Sequence, residues 1–156
     1  MNNSVEALIA KLDELPEFVQ DISNNSIEDN SENILDLNRS QMLVSGIDSE
    51  GDSLGEYSAF TVQKRKDKGL QTEFIDLRYT GEFQDSLILQ QDKDAYFIGA
   101  LDPKWQDELQ PRWPDALGLT EDSESKVTEI LTNEIDIKVD RFLSTETPPK
   151  QTVYAA

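Results

Sequence analysis

Residues 77–87 constrain the fold of this chain more than any other stretch; their sequence is LRYTGEFQDSL. The first residues alternate as in a short strand, and Thr80-Gly81 predicts a turn. Gly81 can adopt backbone angles that other residues avoid, which would let Phe83 and Leu87 point back toward a sheet. The stretch is therefore typical of a structural signature.

A second unusual string covers residues 46–58, where three glycines alternate with aspartate, serine and glutamate. This composition predicts an ordered loop or a hairpin tip from Gly46 to Gly55. The acids at 48, 50 and 52 raise the question of a calcium site. A calcium loop counted from Asp48 would need glycine and glutamate at positions held by Ser53 and Ala59. We therefore interpret Asp48 and Gly51 as parts of a turn in which aspartates bond to their own backbone.

Two helices are predicted before this loop. Ser4 is a candidate N-cap for a short amphipathic helix that Pro16 bends or ends. A polar break at 23–26 follows. The second helix is predicted to run from Ile27 to Val44, and Gly46 stands where a helix C-cap belongs. Its apolar face is thin, and we expect it to pack against a partner. That face is composed of Ile27, Ile34, Leu37, Gln41 and Val44.

The second half of the chain predicts a small antiparallel sheet and two further helices. A strand is expected over 74–79, and a hairpin is expected from 87–89 to 95–98 with its turn at 91–94. Asp102 is the expected cap of a short helix that begins at Pro103. The last and most regular helix is expected to start at Thr120 or Ser123 and to reach Phe142.

Together these elements predict an α+β fold in which helices flank a small antiparallel sheet, with extended terminal arms. One domain is expected over residues 1–142. Residues 143–156 contain two prolines and no periodicity, so we expect an extended C-terminal tail there.

Composition excludes several classes of function. The chain has 156 residues, with 32 acidic and 14 basic side chains and a formal net charge of -18. Such a surface repels DNA phosphates and anionic membranes, and no apolar run is long enough to predict a membrane span. Cysteine and histidine are absent. The chain therefore lacks thiolate chemistry, the commonest general base and the commonest transition-metal ligand. We expect no enzyme activity, cofactor or metal.

One basic island interrupts the acidic sequence shortly after Tyr57. It consists of Lys64, Arg65, Lys66 and Lys68. It could contact DNA passing through a channel, the acidic surface of a neighbouring copy, or solvent alone; of the two contacts, the neighbouring copy fits an acidic chain better. Trp105 and Trp113 are expected to be core or interface anchors.

The order of several motifs resembles a family of small virion-morphogenesis proteins of tailed bacteriophages, the head-tail joining or tail-completion class of Bacteroides-like and crAss-like phages. The resemblance covers residues 41–120. The matching pieces are the strings at 46–51, Tyr57-Ser58, Lys68-Gly69, Leu77, Thr80 to Phe83 with Ser86, Asp102 to Lys104, and Gly118 to Thr120.

This resemblance implies a structural protein of the virion neck or upper tail, assembled in the cytoplasm of the host bacterium. Copies of the chain would form a ring of about six or twelve subunits with different surfaces on its two sides. The ring would touch portal, ring or tail proteins and would have at most passive contact with genomic DNA. The terminal tail would reach a neighbour.

An acidic inhibitor that mimics DNA is the alternative, since small acidic proteins can present carboxylates at phosphate-like spacing. That alternative predicts a monomer or dimer whose binding depends on salt. The basic island and the glycine-rich loop fit it poorly.

Overall fold

The structure is a computed structural model that describes residues 3–93 and 95–144. In chain order the described elements are helices α1 (Asn3–Asp29) and α2 (Ser31–Ser40), π-helix π1 (Gln41–Ser45), helices α3 (Ala59–Asp67) and α4 (Glu82–Asp85), strands β1 (Leu87–Asp92) and β2 (Ala95–Ala100), π-helix π2 (Trp105–Leu109) and helix α5 (Glu121–Ser144).

The first helix is longer than its sequence predicts. α1 begins at Asn3, so Ser4 lies inside it, and it continues past Pro16 and through the polar stretch at 23–26. Packing against α5 explains this continuation. Phe18 stacks on Phe142 with ring centroids 4.1 Å apart. Ser26 is fully buried and accepts a hydrogen bond from Lys138 Nζ at 2.9 Å. Pro16 therefore does not end the helix, and the expected break at 23–26 is wrong, whereas a bend at Pro16 stays a prediction.

The second helix changes its winding before it ends. α2 passes into π1, whose wider turns shift the following side chains around the axis. As a result Met42 is fully buried, whereas Val44 is 71% exposed. Val44 is therefore not part of the core, and the packing of its face against a partner stays a prediction. Gly46 ends this segment with φ 62°, which confirms the predicted C-cap.

Strands β1 and β2 form an antiparallel hairpin, in which Leu87 pairs with Ala100 and Asp92 with Ala95. A two-stranded antiparallel sheet together with several helices makes the fold α+β, as predicted. Residue 94 of the expected turn lies outside the described residues.

The strand expected over 74–79 is absent from the described structure. Ile75 N donates to Gly55 O, and Leu77 has φ 56°, which an extended strand does not allow. The segment is held instead by the buried side chain of Asp76, which is described below.

The core lies in the part of the chain from Asn30 to Thr128. It joins Leu35 of α2 and Met42 of π1 to Leu87 of β1 and to other buried side chains: Leu54, Phe83, Trp105 and Ala116. The helix expected after Asp102 is present as π2, and Asp102 Oδ1 accepts from Lys104 N at 2.9 Å. α5 starts at Glu121, directly after Thr120, as expected. Thr120 Oγ1 accepts a hydrogen bond from Ser123 N at this end of the helix.

The contacts group the chain into two compact units. One is Asn30–Thr128, and the other combines, among the described residues, 3–29 with 129–144. One domain over 1–142 stays a prediction. Of the expected tail, Leu143 and Ser144 belong to α5, and residues 145–156 lie outside the described residues. In the described part of the chain, no helix combines the length and apolar character needed to cross a membrane.

Candidate functional site

A buried ion pair joins α3 to the irregular segment after it. Arg65 Nη2 lies 2.8 Å from Asp76 Oδ2, and the two side chains are only 3% and 4% exposed. Ser58 positions α3, because its hydroxyl accepts from Thr61 N and caps the helix. A buried pair of this kind requires further hydrogen bonds, since both charges have left water.

Asp76 receives those bonds on both carboxylate oxygens. The Tyr57 hydroxyl donates to Oδ1 at 2.7 Å, and Arg78 N donates to the same oxygen at 2.8 Å. Gln71 Nε2 donates to Oδ2 at 2.7 Å. With the guanidinium, four donors surround the carboxylate. This arrangement holds three chain segments together and leaves the carboxylate poorly placed to act as a general base.

Tyr57 completes the cluster. The Cζ atom of Arg65 lies 4.3 Å from its ring centroid, and its hydroxyl accepts from Asp76 N at 3.1 Å. Burial raises the pKa of Tyr57 to about 12, and the neighbouring Asp76 carboxylate acts in the same direction. At neutral pH the phenol is therefore protonated and donates to Asp76.

Arg65 also donates hydrogen bonds to two backbone carbonyls, one before and one after Asp76 in the sequence. Its Nε donates to Gln71 O at 2.7 Å, and its Nη1 donates to Arg78 O. The sequence predicts four cations on one island, but Arg65 is 2% exposed and belongs to the interior. The surface part of the island consists of the exposed residues Lys64, Lys66 and Lys68.

Two of these lysines cover exposed aromatic rings. Lys64 Nζ lies 4.4 Å from the ring centroid of Phe60, which is 70% exposed. Lys68 Nζ lies 4.4 Å from the ring centroid of Tyr79, which is 53% exposed. We call these four residues the α3 patch. It offers apolar surface and positive charge together, a combination that suits an interface with an acidic partner.

The two tryptophans have different environments. Trp105 is buried and stacks on Phe83 with centroids 5.7 Å apart. Trp113 is partly exposed, and its Nε1 donates to Leu54 O at 2.8 Å. It lines an open groove with a cavity volume of about 470 Å³, which we call the Trp113 groove. The other lining residues are Asp107, Glu108, Leu109, Pro111 and Arg112.

The loop between Gly46 and Gly55 is an ordered turn, as predicted. Asp48 Oδ1 accepts from Glu50 N at 3.0 Å and from Asp52 N at 2.9 Å. Gly51 has φ 85° at the tip. In the described part of the chain, no three carboxylates are grouped so as to hold a metal ion.

The Thr80-Gly81 turn leads into α4. Gly81 has φ 101°, in the left-handed region that favours glycine. Thr80 Oγ1 donates to Glu82 Oε2 at 3.1 Å, which holds the first turn of the helix. Phe83 and Leu87 are 5% and 3% exposed and both belong to the core, although Phe83 lies in α4 and Leu87 is itself the first residue of β1.

Sequence reasoning missed the buried polar residues that organise this unit. Asp76 is the centre of the cluster, and Gln41 joins π1 to the start of α5 by donating to Gly118 O and accepting from Thr120 N. The signal for Asp76 was its position between Ile75 and Leu77. An acid inside an apolar run is a candidate for burial with a cationic partner.

No family model, curated protein or solved structure matches this chain.

Proposed function

We propose that this chain is a structural virion protein that forms a ring in the neck or upper tail of a tailed bacteriophage. In that position it connects portal or head-completion components to the tail and lines the DNA channel. The motif order over residues 41–120 supports the proposal from the sequence, and the surface of α1 supports it from the structure.

The observation that carries the proposal is an apolar stripe on α1. Val5, Leu8, Ile9 and Leu12 recur at helical spacing, and they are 61%, 48%, 53% and 49% exposed. Single exposed apolar residues are ordinary, but a contiguous helical stripe marks an interaction surface. A subunit that is held by its neighbours needs such a surface.

The charge distribution is compatible with assembly into a ring. With a net charge of -18, identical copies repel one another unless positive surfaces meet negative ones. The α3 patch supplies positive charge, and complementary pairing of this kind sets the register between subunits. An acidic channel wall would let DNA pass without salt-sensitive phosphate contacts.

Gene inactivation in the phage that encodes the chain tests this function. We expect heads and tails to accumulate unjoined, and the purified wild-type chain to restore joined particles. A Leu8→Ser/Leu12→Ser double variant should fail to restore them. The control Glu6→Ser/Asp13→Ser changes exposed polar positions of the same helix and should succeed. Normal particles without the chain would contradict the proposal.

Exposed carboxylates along α5 favour one second candidate, an acidic inhibitor that mimics DNA. They are Glu121, Asp122, Glu124, Glu129, Asp136 and Asp140. A row of carboxylates can compete with phosphates for a nucleic-acid-binding enzyme. This candidate predicts that the chain is absent from virions and captures such an enzyme from host lysate, with duplex DNA displacing it.

A further inference from the structure

We infer that the α3 patch of one copy docks into the Trp113 groove of the next copy. Phe60 would lie against Leu109 and Trp113, and Lys64 would face the carboxylates of Asp107 and Glu108. The inference rests on the proposed function, because it names the contact through which ring subunits recognise one another. Patch and groove belong to the same compact unit of the chain.

The α3 patch is exposed, and the helix that carries Phe60 and Lys64 is rigidly positioned. Phe60 is 70% exposed and lies in the first turn of α3, directly after the Ser58 cap. Farther along the helix, Arg65 is bonded to Asp76, Gln71 and Arg78 and fixes α3 on the unit. A large aromatic ring on a rigid helix loses little freedom on binding and is the usual kind of interface anchor.

The Trp113 groove is lined by apolar side chains together with charged ones. Leu109 and Trp113 are partly buried against the core, and the bond from Trp113 Nε1 to Leu54 O fixes the indole. Asp107 and Glu108 are exposed at the groove, with Arg112 as the cation among the lining residues. The carboxylates outnumber the cation, so a lysine that arrives with an aromatic ring finds an opposite charge beside an apolar surface.

A second copy of this chain is the occupant that the charges favour. Patch and groove are different surfaces, so pairing them gives a head-to-tail contact, which closes into a ring when the rotation allows. Single-stranded nucleic acid also binds lysines beside aromatic rings. However, a chain with net charge -18 repels a polyanion over most of its surface.

Site-specific photocrosslinking tests the contact directly. The full chain carries the photoreactive amino acid benzoylphenylalanine in place of Phe60, and light and heavy isotope-labelled copies are mixed before irradiation. We expect mixed-isotope crosslinks that map to residues 107–113. Crosslinks confined to one copy, crosslinks to other residues, or no crosslinks at concentrations where the chain self-associates would overturn the inference. Absence of self-association would overturn it as well.

Charge reversal gives an independent test by sedimentation velocity. Lys64→Glu should weaken self-association by about tenfold, and Glu108→Lys alone should weaken it by a similar factor. The two changes together should restore most of the affinity. Lys93→Glu alters the net charge equally at an exposed turn residue and should have little effect. Equal weakening by Lys64→Glu and Lys93→Glu, or no restoration in the double variant, contradicts the contact.

The outcomes separate this contact from the proposed function. If virions contain a ring of the chain but crosslinks from position 60 avoid the groove, the function stands and the contact is wrong. If the chain is absent from virions, the function fails, and the contact is judged by the crosslinks of the isolated chain. Protection of position 60 by a short single-stranded DNA in place of a second copy would show nucleic acid as the occupant and overturn the inference.

Discussion

Asp76 illustrates how one residue decides the path of a whole segment. An extended strand over 74–79 would place its neighbours in a sheet, but a buried carboxylate must first satisfy its oxygens. Arg65, Tyr57 and Gln71 all converge on it. The backbone follows these bonds, and Leu77 adopts φ 56°. Hydrogen bonding of one side chain therefore outweighs the strand preference of its neighbours.

Removal of the Asp76 charge should be strongly destabilising. Asp76→Asn leaves the Arg65 guanidinium buried without its counter-charge, and we expect unfolding free energy to fall by about 3–5 kcal/mol. Urea denaturation measures the change. The control is Asp122→Asn, because Asp122 pairs with Lys126 at 2.6 Å on the surface and should contribute less than about 1 kcal/mol. Similar losses in both variants would contradict a structural role for the buried pair.

The hydroxyl of Tyr57 should make stability fall at alkaline pH. The pKa of Tyr57 is raised to about 12 in the fold, above the value of about 10 for an unfolded tyrosine. Protonated Tyr57 therefore contributes stability in full below about pH 10, and this contribution is lost as pH rises through about 12.

Urea midpoints measured from about pH 9 to about pH 11.5 test this dependence on Tyr57. We expect Tyr57→Phe to be less stable at the lower pH and to lose less stability as pH rises. Tyr79→Phe changes an exposed ring and serves as the control, which should keep the wild-type slope. Identical slopes in wild type and Tyr57→Phe would refute the assignment.

Two loop glycines form a matched pair that separates the cost of a steric clash from the cost of backbone strain. Gly46 and Gly51 both have positive φ, so alanine is strained at either position. A Cβ at Gly46 would also overlap the Phe74 ring, whereas a Cβ at Gly51 has no neighbour within 4 Å. We expect Gly51→Ala to lower stability by about 1 kcal/mol and Gly46→Ala by about 1–3 kcal/mol more. Equal losses in thermal or urea unfolding would show that the Phe74 contact is unimportant.

At the scale of elements, capping residues located some helix boundaries, whereas the continuation of a helix past a local break was not predictable from local signals. Gly46 as a C-cap and Thr120 as the start of α5 were readable because each depends on residues next to it. The hairpin was readable from two apolar runs around a polar turn. The continuation of α1 past Pro16 was not, because it depends on packing with Phe142 and Lys138 more than 100 residues later.

The candidate site was predictable from the sequence only in part, because it too depends on contacts between residues that are distant in the sequence. The lysines and the tryptophans were visible as residue types. Whether a cation such as Arg65 faces solvent or the interior depends on an acid 11 positions away. The change from α-helix to π-helix at π1 was also not predictable, because a single wide turn hardly alters the spacing of apolar residues in the sequence. The α3 patch and the Trp113 groove therefore emerge only from the fold.

Pro16 should limit the stability of α1. It lies inside the helix and is exposed, and it lacks the N–H that would bond to the carbonyl four residues earlier. We expect Pro16→Ala to raise helical circular dichroism at 222 nm and to raise the melting temperature, since interior proline costs about 3 kcal/mol relative to alanine. Pro111→Ala is the control: Pro111 lies outside the α-helices, so its replacement should not raise the helical signal at 222 nm. A lower melting temperature in Pro16→Ala would contradict this prediction.

At the scale of the whole molecule, charge and exposed apolar surface must be reconciled. A net charge of -18 opposes contact between copies, whereas the proposed function and the proposed docking contact require the exposed stripe on α1 and the α3 patch to meet other surfaces. Salt should therefore strengthen self-association by screening the general repulsion, up to the concentration at which it also screens the lysine contacts.

Cryo-electron microscopy of purified virions from the phage that encodes this chain tests the central claim most directly. A reconstruction focused on the junction between head and tail should contain a closed ring into which the α5 helix and the β1–β2 hairpin fit, with about six or twelve copies. A fully resolved neck and upper tail without density for this chain would contradict the proposed function.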